Sequence, residues 1–210
     1  MQPKLNKKFD WQRLENLVKE KLANEKTGHD FGHIMRVQLL CFELAKGFKK
    51  VDFDALAAAS LLHDISLEKG PSKQHHIESA GLAKPILEKF GFSKSQVDKI
   101  SECILRHNRG FSASKSIPKG LSLEAKILCD ADRIEALGAI GLIRMICFSQ
   151  NQKVPYANSR KDKLDESFYG NIKYLSTLAG KMYTARGKKI VRDRGRIIKQ
   201  FLKSFEKEVF

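Results

Sequence analysis

The sequence predicts an all-α protein, built as one helical bundle with a helical extension at its C-terminus. Apolar residues recur with a period near 3.6 along almost the whole chain. No stretch shows the apolar/polar alternation between turn residues that marks a strand. A chain of 210 residues that is 42% hydrophobic suits one sizeable core. We therefore expect a helical domain over residues 1–150 and a helical extension over 151–210, packed on the same domain.

Five helices are predicted in the first half of the chain. The first runs from about Trp11 to Ala23, and the second carries an apolar stripe between Val37 and Phe48. The third, Phe53 to about Ile65, is rich in Ala and Leu on all sides, so it belongs in the middle of the bundle. The fourth spans about His75 to Phe90, and the fifth about Lys94 to His107.

The second half begins with a long loop at residues 109–120, which we expect to cover a cleft. The longest apolar helical run follows, from Leu123 to about Phe148. Its Gly138 and Gly141 indicate close helix approach rather than helix ends. The polar stretch at residues 149–165 is predicted to be a hinge or exposed loop. Two final helices follow from about Glu166, and the last is amphipathic, with Lys and Arg on its solvent side.

Several protein classes conflict with the composition. No window approaches the ~18 uninterrupted apolar residues of a membrane-spanning helix. The N-terminus lacks the apolar segment of a secretory signal, so we expect a cytoplasmic protein with no membrane partner. No CxxC pair occurs, and each of the four cysteines has apolar neighbours. We expect reduced core thiols at Cys41, Cys103, Cys129 and Cys147.

The chain carries a formal net charge of +15, and the excess leans towards the C-terminal tail. From Lys153 to the end there are 15 Lys and Arg against 6 Asp and Glu. A basic surface attracts phosphate groups. It favours an anionic small substrate over specific nucleic-acid binding, because basic surfaces are also common in proteins that bind no nucleic acid.

Histidines and aspartates stand where solvated polar residues rarely collect. His33 lies one turn before Val37 on an inward stripe, and His63 and Asp64 close the most apolar helix. His107 and Asp132 also follow apolar stripes. Because a buried carboxylate is costly without a cation, these side chains indicate a metal site. Mixed imidazole and carboxylate ligands suit Mn²⁺, Fe²⁺ or Zn²⁺, with Mg²⁺ on the carboxylate side.

The segments around these residues read HDFGHIMRV, AAASLLHDI and LEAKILCDADRIEALGAIG. They resemble the HD-domain superfamily of metal-dependent phosphohydrolases, whose pattern is a His, an adjacent His-Asp pair and a distant Asp. The resemblance places His33, His63, Asp64 and Asp132 at the metal positions. It runs from about His29 to Phe148, and the C-terminal segment is similar to the tail of a small archaeal and bacterial subfamily.

Many members of this superfamily bind a second ion through two further histidines. Here His107 and either His75 or His76 would serve, with Asp64 between two ions; a solvated helix cap is the alternative for the His75-His76 pair. Asp130 and Asp132 point about 160° apart on a helix, so only one faces the site. The resemblance selects Asp132.

The resemblance implies hydrolysis of a phosphate ester or anhydride of a nucleotide, or of a similar small metabolite, by a metal-activated water. Asp64 would be catalytic and Glu68 would orient water.

Three cations adjoin the ligand positions in sequence, and they would bind the substrate phosphates: Arg36, Lys69 and Arg133. Arg36 and Arg133 could instead pair with carboxylates, Arg133 with the neighbouring Glu135. His29 and Asp30 would orient a ligand or cap a helix.

Two other functions fit the same residues. A di-iron site on these ligands would support an HD-type oxygenase. A basic last helix with a structural metal would give a nucleic-acid-binding module. No GxxxxGK loop is present, so the phosphate preference follows from the resemblance and the basic surface.

Overall fold

The computed structural model describes residues 3–70, 72–108 and 120–210. Within these ranges the chain is helical and contains no β-strand, which confirms the predicted all-α class. Most of the loop predicted at 109–120 lies outside the described residues. The helices are α1 (Trp11–Lys21), α2 (Phe31–Ala45), α3 (Phe53–Leu62), α4 (His75–Lys89), α5 (Lys94–Arg106), α6 (Leu123–Glu135), α7 (Gly138–Asn151), α8 (Phe168–Ser176) and α9 (Ala185–Val209), with short 3-10 helices at Ile65–Lys69 and Leu178–Lys181.

Helix α3 lies at the centre of the bundle, as its uniform apolar composition predicts. Every residue from Ala55 to Leu62 is buried, and α2, α5 and α6 pack around it. Its N-terminus is fixed by Asp52, whose carboxylate accepts a hydrogen bond from the Ala55 amide. The helix ends three residues earlier than predicted, so His63 and Asp64 follow it directly, inside the core.

Side-chain caps also fix the start of the other helices that surround this point. Asp30 caps α2 by accepting a hydrogen bond from the amide of His33. Ser93 caps α5, and Ser122 caps α6. Because a capped helix begins at a defined residue, each cap also sets where the polar side chains of its helix project.

The predicted single helix from Leu123 to Phe148 is wrong, because the chain breaks between α6 and α7. Gly138 has a φ of +79°, a conformation that favours glycine, and it starts a new helix. Gly138 is therefore a helix end. Gly141 marks a close approach, since a Cβ at this position would collide with the backbone carbonyl of Ala136.

The C-terminal helices pack back on the bundle. Helix α9 lies against α6, α7 and α8, with Val191 and Ile198 buried. The connection that precedes α8 is anchored by Asp162, which is buried and accepts hydrogen bonds from the amides of Asn158 and Ser159. The loop predicted at 149–165 thus begins after α7 ends at Asn151 and has fixed internal contacts. The division into 1–150 and 151–210 stays a prediction.

Three of the four cysteines are buried free thiols, and burial raises the pKa of Cys103 and Cys129 to about 12. The expectation of a core position is wrong for Cys147, which is exposed on α7. Among the described helices, none is both long enough and apolar enough to cross a bilayer.

Candidate metal centre

Four imidazoles and two carboxylates meet where α3 ends. His63 and Asp64 come from the turn after α3, His33 from the first turn of α2, and Asp132 from the last turn of α6. His75 starts α4, and His107 follows α5 directly. Five successive helices, α2 to α6, thus deliver these side chains to one point in the interior.

Asp64 is the centre of the cluster, and its Oδ2 atom faces one group of ligands. The Nε2 atoms of His33 and His63 each lie 3.5 Å from this oxygen, and they lie 3.2 Å from each other. Asp132 joins the group, since its Oδ1 lies 3.7 Å from Nε2 of His33.

The other carboxylate oxygen of Asp64 faces a second group. Nε2 of His107 lies 3.5 Å from Oδ1, and Nε2 of His75 lies 3.6 Å from it. Asp64 therefore stands between two sets of donor atoms, with one oxygen turned to each.

Three of the imidazoles are oriented by the same local contact. Nδ1 of His63, His75 and His107 lies 2.6–2.9 Å from the backbone carbonyl three residues earlier in the chain. A carbonyl oxygen only accepts, so Nδ1 carries the proton and donates it. The lone pair of each ring is then on Nε2, which is the atom that faces Asp64.

His33 is oriented differently, because it stands inside the first turn of α2. Its Nδ1 lies 3.0 Å from Oε2 of Glu135, which is buried at the end of α6. Two arginines hold Glu135: Nε of Arg36 donates to Oε1 at 2.8 Å, and Arg144 of α7 pairs with Oε2. Arg144 also donates from Nε to the carbonyl oxygen of Gly28, at 2.5 Å.

The donor set fits a divalent cation. Oδ1 of Asp64 is buried and has no hydrogen-bond partner among the described residues, although such an atom normally has one. The facing Nε2 atoms present lone pairs, which repel a carboxylate unless a positive charge lies between them. Ligand atoms about 2.1 Å from a shared ion lie roughly 3.0–3.5 Å from one another, close to the distances seen here.

Burial and neighbouring charges shift the pKa values of most of these groups in opposite directions. Burial lowers the pKa of His63 to about 4, which keeps this ring neutral and able to bind a metal. Burial also acts to lower the pKa of His33 and of His107, but contact with the Asp64 carboxylate raises both. Burial alone would raise the pKa of Glu135, but His33, Arg144 and Arg36 lower it to about 2.

The geometry distinguishes between neighbouring residues in the two cases where the sequence left the metal ligand open. His75, rather than His76, presents Nε2 to Asp64. Asp132 faces His33, whereas Asp130 turns to the C-terminal segment and accepts hydrogen bonds from the amides of Tyr183 and Thr184. These contacts favour His75 and Asp132 as the ligands.

The acidic residue predicted to orient water and the three cations predicted to bind substrate differ in their ion-pair partners and in their exposure. Glu68 pairs with Lys21 at 2.8 Å, and Lys69 is exposed with no ion pair among the described residues. Arg36 pairs with Glu135 across to α6, the alternative expected for it. Arg133 does not form the pair with Glu135 that was the alternative role predicted for it. It is buried and donates a hydrogen bond to the carbonyl oxygen of Lys181, away from the Asp64 cluster.

The residues beside His33 in sequence lie around it in space. Asp30 caps α2. The His29 ring packs edge-on against that of His33, with centroids 5.4 Å apart, and its Nδ1 lies 2.9 Å from Oγ1 of Thr27. His29 therefore contacts the candidate ligand His33 rather than Asp64.

The sequence did not identify the role of Glu135 or of Arg144. Glu135 had a detectable signal, since it stands one helical turn after Asp132 and therefore shares its face of α6. Arg144 had none, because its contact with Glu135 depends on the break between α6 and α7.

These features define a class of protein, an all-helical bundle whose core carries a histidine-aspartate cluster able to hold divalent cations. Residues 30–137, just over half of the chain, match the HD domain family model. The chain belongs to the HD domain family, and the resemblance inferred from the sequence is confirmed.

Relatives share the fold along almost the whole chain. The uncharacterized protein YpgQ of Bacillus subtilis is 26% identical over 201 residues, which cover 94% of this chain and 93% of YpgQ. YpgQ in complex with ADP has a TM-score of 0.73 at 24% identity, with 95% and 94% of the two chains covered. A Lactobacillus plantarum protein gives 0.77 at 22% identity, with 98% of both chains covered. An HD-superfamily hydrolase from Bacillus thuringiensis gives 0.67 at 23% identity, with 94% and 95% covered.

Replacing Glu135 with Gln tests the contact that orients His33. The substitution keeps the shape but removes the negative charge that lies 3.0 Å from Nδ1 of His33, and we expect Mn²⁺ to bind roughly 10-fold to 100-fold more weakly. Competition with a fluorescent chelator measures the affinity. Glu43→Gln removes a partly exposed Glu–Arg pair, with Arg186, and is the control. Equal affinity of the Glu135 variant and the wild type would contradict the assignment.

Replacing His75 with Ala tests the second set of donors. We expect this variant to hold one equivalent of metal where the wild type holds two, because Oδ1 of Asp64 loses one of its two facing imidazoles. Plasma mass spectrometry after loading with Mn²⁺ measures the stoichiometry. His76→Ala, the adjacent histidine, is expected to keep two equivalents. Loss of metal from the His76 variant alone would reverse the assignment.

Proposed function

We propose that the protein is a metal-dependent phosphohydrolase. It hydrolyses a phosphate ester or anhydride of a nucleotide, or of a similar small phosphorylated metabolite. The observation that carries this proposal is the position of Asp64 between two groups of donor atoms. Paired divalent ions are a recurrent means of hydrolysing phosphate esters.

The first group of donors would comprise His33, His63 and Asp132, and the second His75 and His107, with Asp64 shared. Metal ions held there would supply an activated water and would withdraw charge from the phosphoryl oxygens. The protein keeps the ligands fixed: carbonyl oxygens and Glu135 hold the rings, so little reorganisation accompanies the reaction.

The exposure of the ligands indicates where a substrate enters. The side chains of His33, His63, Asp64 and His107 are at most 3% exposed, whereas those of His75 and Asp132 are 20% and 13% exposed. A phosphate would therefore approach between His75 and Asp132. The enclosed ligands exclude water from the far side of the cluster.

The three candidate substrate-binding cations differ in exposure and in ion pairing, and therefore in how readily each could bind a phosphate. Lys69 follows the His63-Asp64 pair by a few residues and is exposed and unpaired among the described side chains, so it is free to meet a phosphate. Arg36 is 39% exposed and keeps one edge on Glu135, so it would bind a phosphate from a fixed position. Arg133 is buried against the C-terminal segment and would act on the substrate only indirectly.

The nucleotide part of the proposal draws support from YpgQ, which has been solved in complex with ADP. YpgQ aligns with this chain over nearly its full length. The formal charge of +15 also favours an anionic substrate.

Asp64→Asn tests the proposed activity, because it keeps the size of the side chain and removes the charge shared by both groups of donors. With Mn²⁺ and a panel of nucleoside mono-, di- and triphosphates, we expect the wild type to release phosphate or pyrophosphate. The variant should be at least ~1,000-fold slower, since metal catalysis supplies several kcal/mol. A colorimetric phosphate assay with added pyrophosphatase measures the rate.

Asp98→Asn, an exposed aspartate on α5, is the matched control and should react at the wild-type rate. Failure of the wild type to hydrolyse any nucleotide with Mn²⁺, Mg²⁺, Zn²⁺ or Fe²⁺ would contradict the proposal. Retention of iron with consumption of oxygen would favour the oxygenase instead.

A further inference from the structure

The solvent face of α9 carries a continuous row of positive charge. Successive helical residues are 100° apart, and seven cations of α9 fall within an arc of about 100°. All of them are exposed. This cationic stripe consists of Lys188, Lys189, Arg192, Arg196, Lys199, Lys203 and Lys207. At 1.5 Å per residue it is about 28 Å long.

One acidic residue of α9, Glu206, falls within the same arc, but its carboxylate accepts a hydrogen bond from Tyr169 and pairs with Arg160 rather than with the stripe. Among the described residues, Asp193 is the only acidic partner of any of these cations; it lies 3.6 Å from Arg196, and both side chains are well exposed. Four pairs of like charges stand four residues apart, such as Lys199 and Lys203, and such pairs destabilise a helix. An ordinary solvated helix face mixes both signs of charge. An anionic partner would relieve this repulsion.

The opposite face of α9 limits what the partner can be. Val191 and Ile198 are buried, and Phe201, Leu202 and Phe205 pack against the core. A membrane-surface helix needs its apolar face free to enter the lipid, and this face is already in use. The straight row of cations suits instead a partner with regularly spaced negative charges along a line.

We propose that the cationic stripe binds the phosphate backbone of double-stranded nucleic acid without sequence preference. No aromatic side chain stands within the stripe, so it offers no surface for stacking unpaired bases, as single-strand binding requires. Its exposed Lys and Arg side chains suit phosphate oxygens, and a continuous row of them follows a charged backbone rather than single base edges. The site is independent of Asp64 and of the proposed hydrolytic activity.

The test uses the full chain and a fluorescein-labelled 24-base-pair DNA duplex, followed by fluorescence anisotropy at several salt concentrations. The triple variant Arg192→Gln, Lys199→Gln, Lys203→Gln removes three unpaired charges from the stripe. We expect its Kd to rise at least ~10-fold at 100 mM salt. We expect its slope of log K against log salt to become less negative by about 2.7.

A matched control removes three exposed charges elsewhere, through Lys19→Gln, Lys84→Gln and Lys94→Gln. It should bind the duplex within about 2-fold of the wild type, with the same slope. Equal weakening of both triple variants would overturn the proposal, since net charge alone would then explain binding. Absence of duplex binding, or binding only to vesicles that contain phosphatidylserine, would also overturn it. Metal content and nucleotide hydrolysis report on the Asp64 site separately, and both variants should retain them.

Discussion

The site depends on which nitrogen of each imidazole carries the proton. Backbone carbonyls hold the Nδ1 protons of His63, His75 and His107, so the lone pairs lie on the Nε2 atoms that face Asp64. His63 and His107 directly follow α3 and α5, where the last carbonyl oxygens of a helix lack partners within that helix. The helix ends thus provide both the position and the protonation state of two rings.

These lone pairs converge on a buried carboxylate, an arrangement that a cation between them would stabilise. Asp64 and Asp132 bring negative charge into the core, and the hydrogen bonds of the described part of the chain leave Oδ1 of Asp64 unsatisfied. The charge of Glu135, in contrast, is balanced by Arg36 and Arg144 within the protein. One buried carboxylate is therefore satisfied by side chains, whereas Asp64 keeps an oxygen available to a metal ion.

The sequence predicted much of this arrangement, because periodicity places residues on helix faces and the motif pairs His63 with Asp64. It placed α3 in the centre and predicted the ends of α4 and α5 to within one residue. The sequence did not predict the break at Gly138. From sequence alone, a glycine that ends a helix by adopting a positive φ cannot be distinguished from one that permits close helix packing. The role of Arg144 followed from that break, and the pairing of Arg36 with Glu135 depends on contact between helices far apart in the chain.

Anomalous diffraction from crystals of the Mn²⁺-loaded wild-type protein tests whether two metal ions share Asp64. We expect two anomalous peaks, one beside Oδ2 of Asp64 near His33 and His63, the other beside Oδ1 near His75 and His107. A single peak, or peaks that do not contact Asp64, would contradict this expectation.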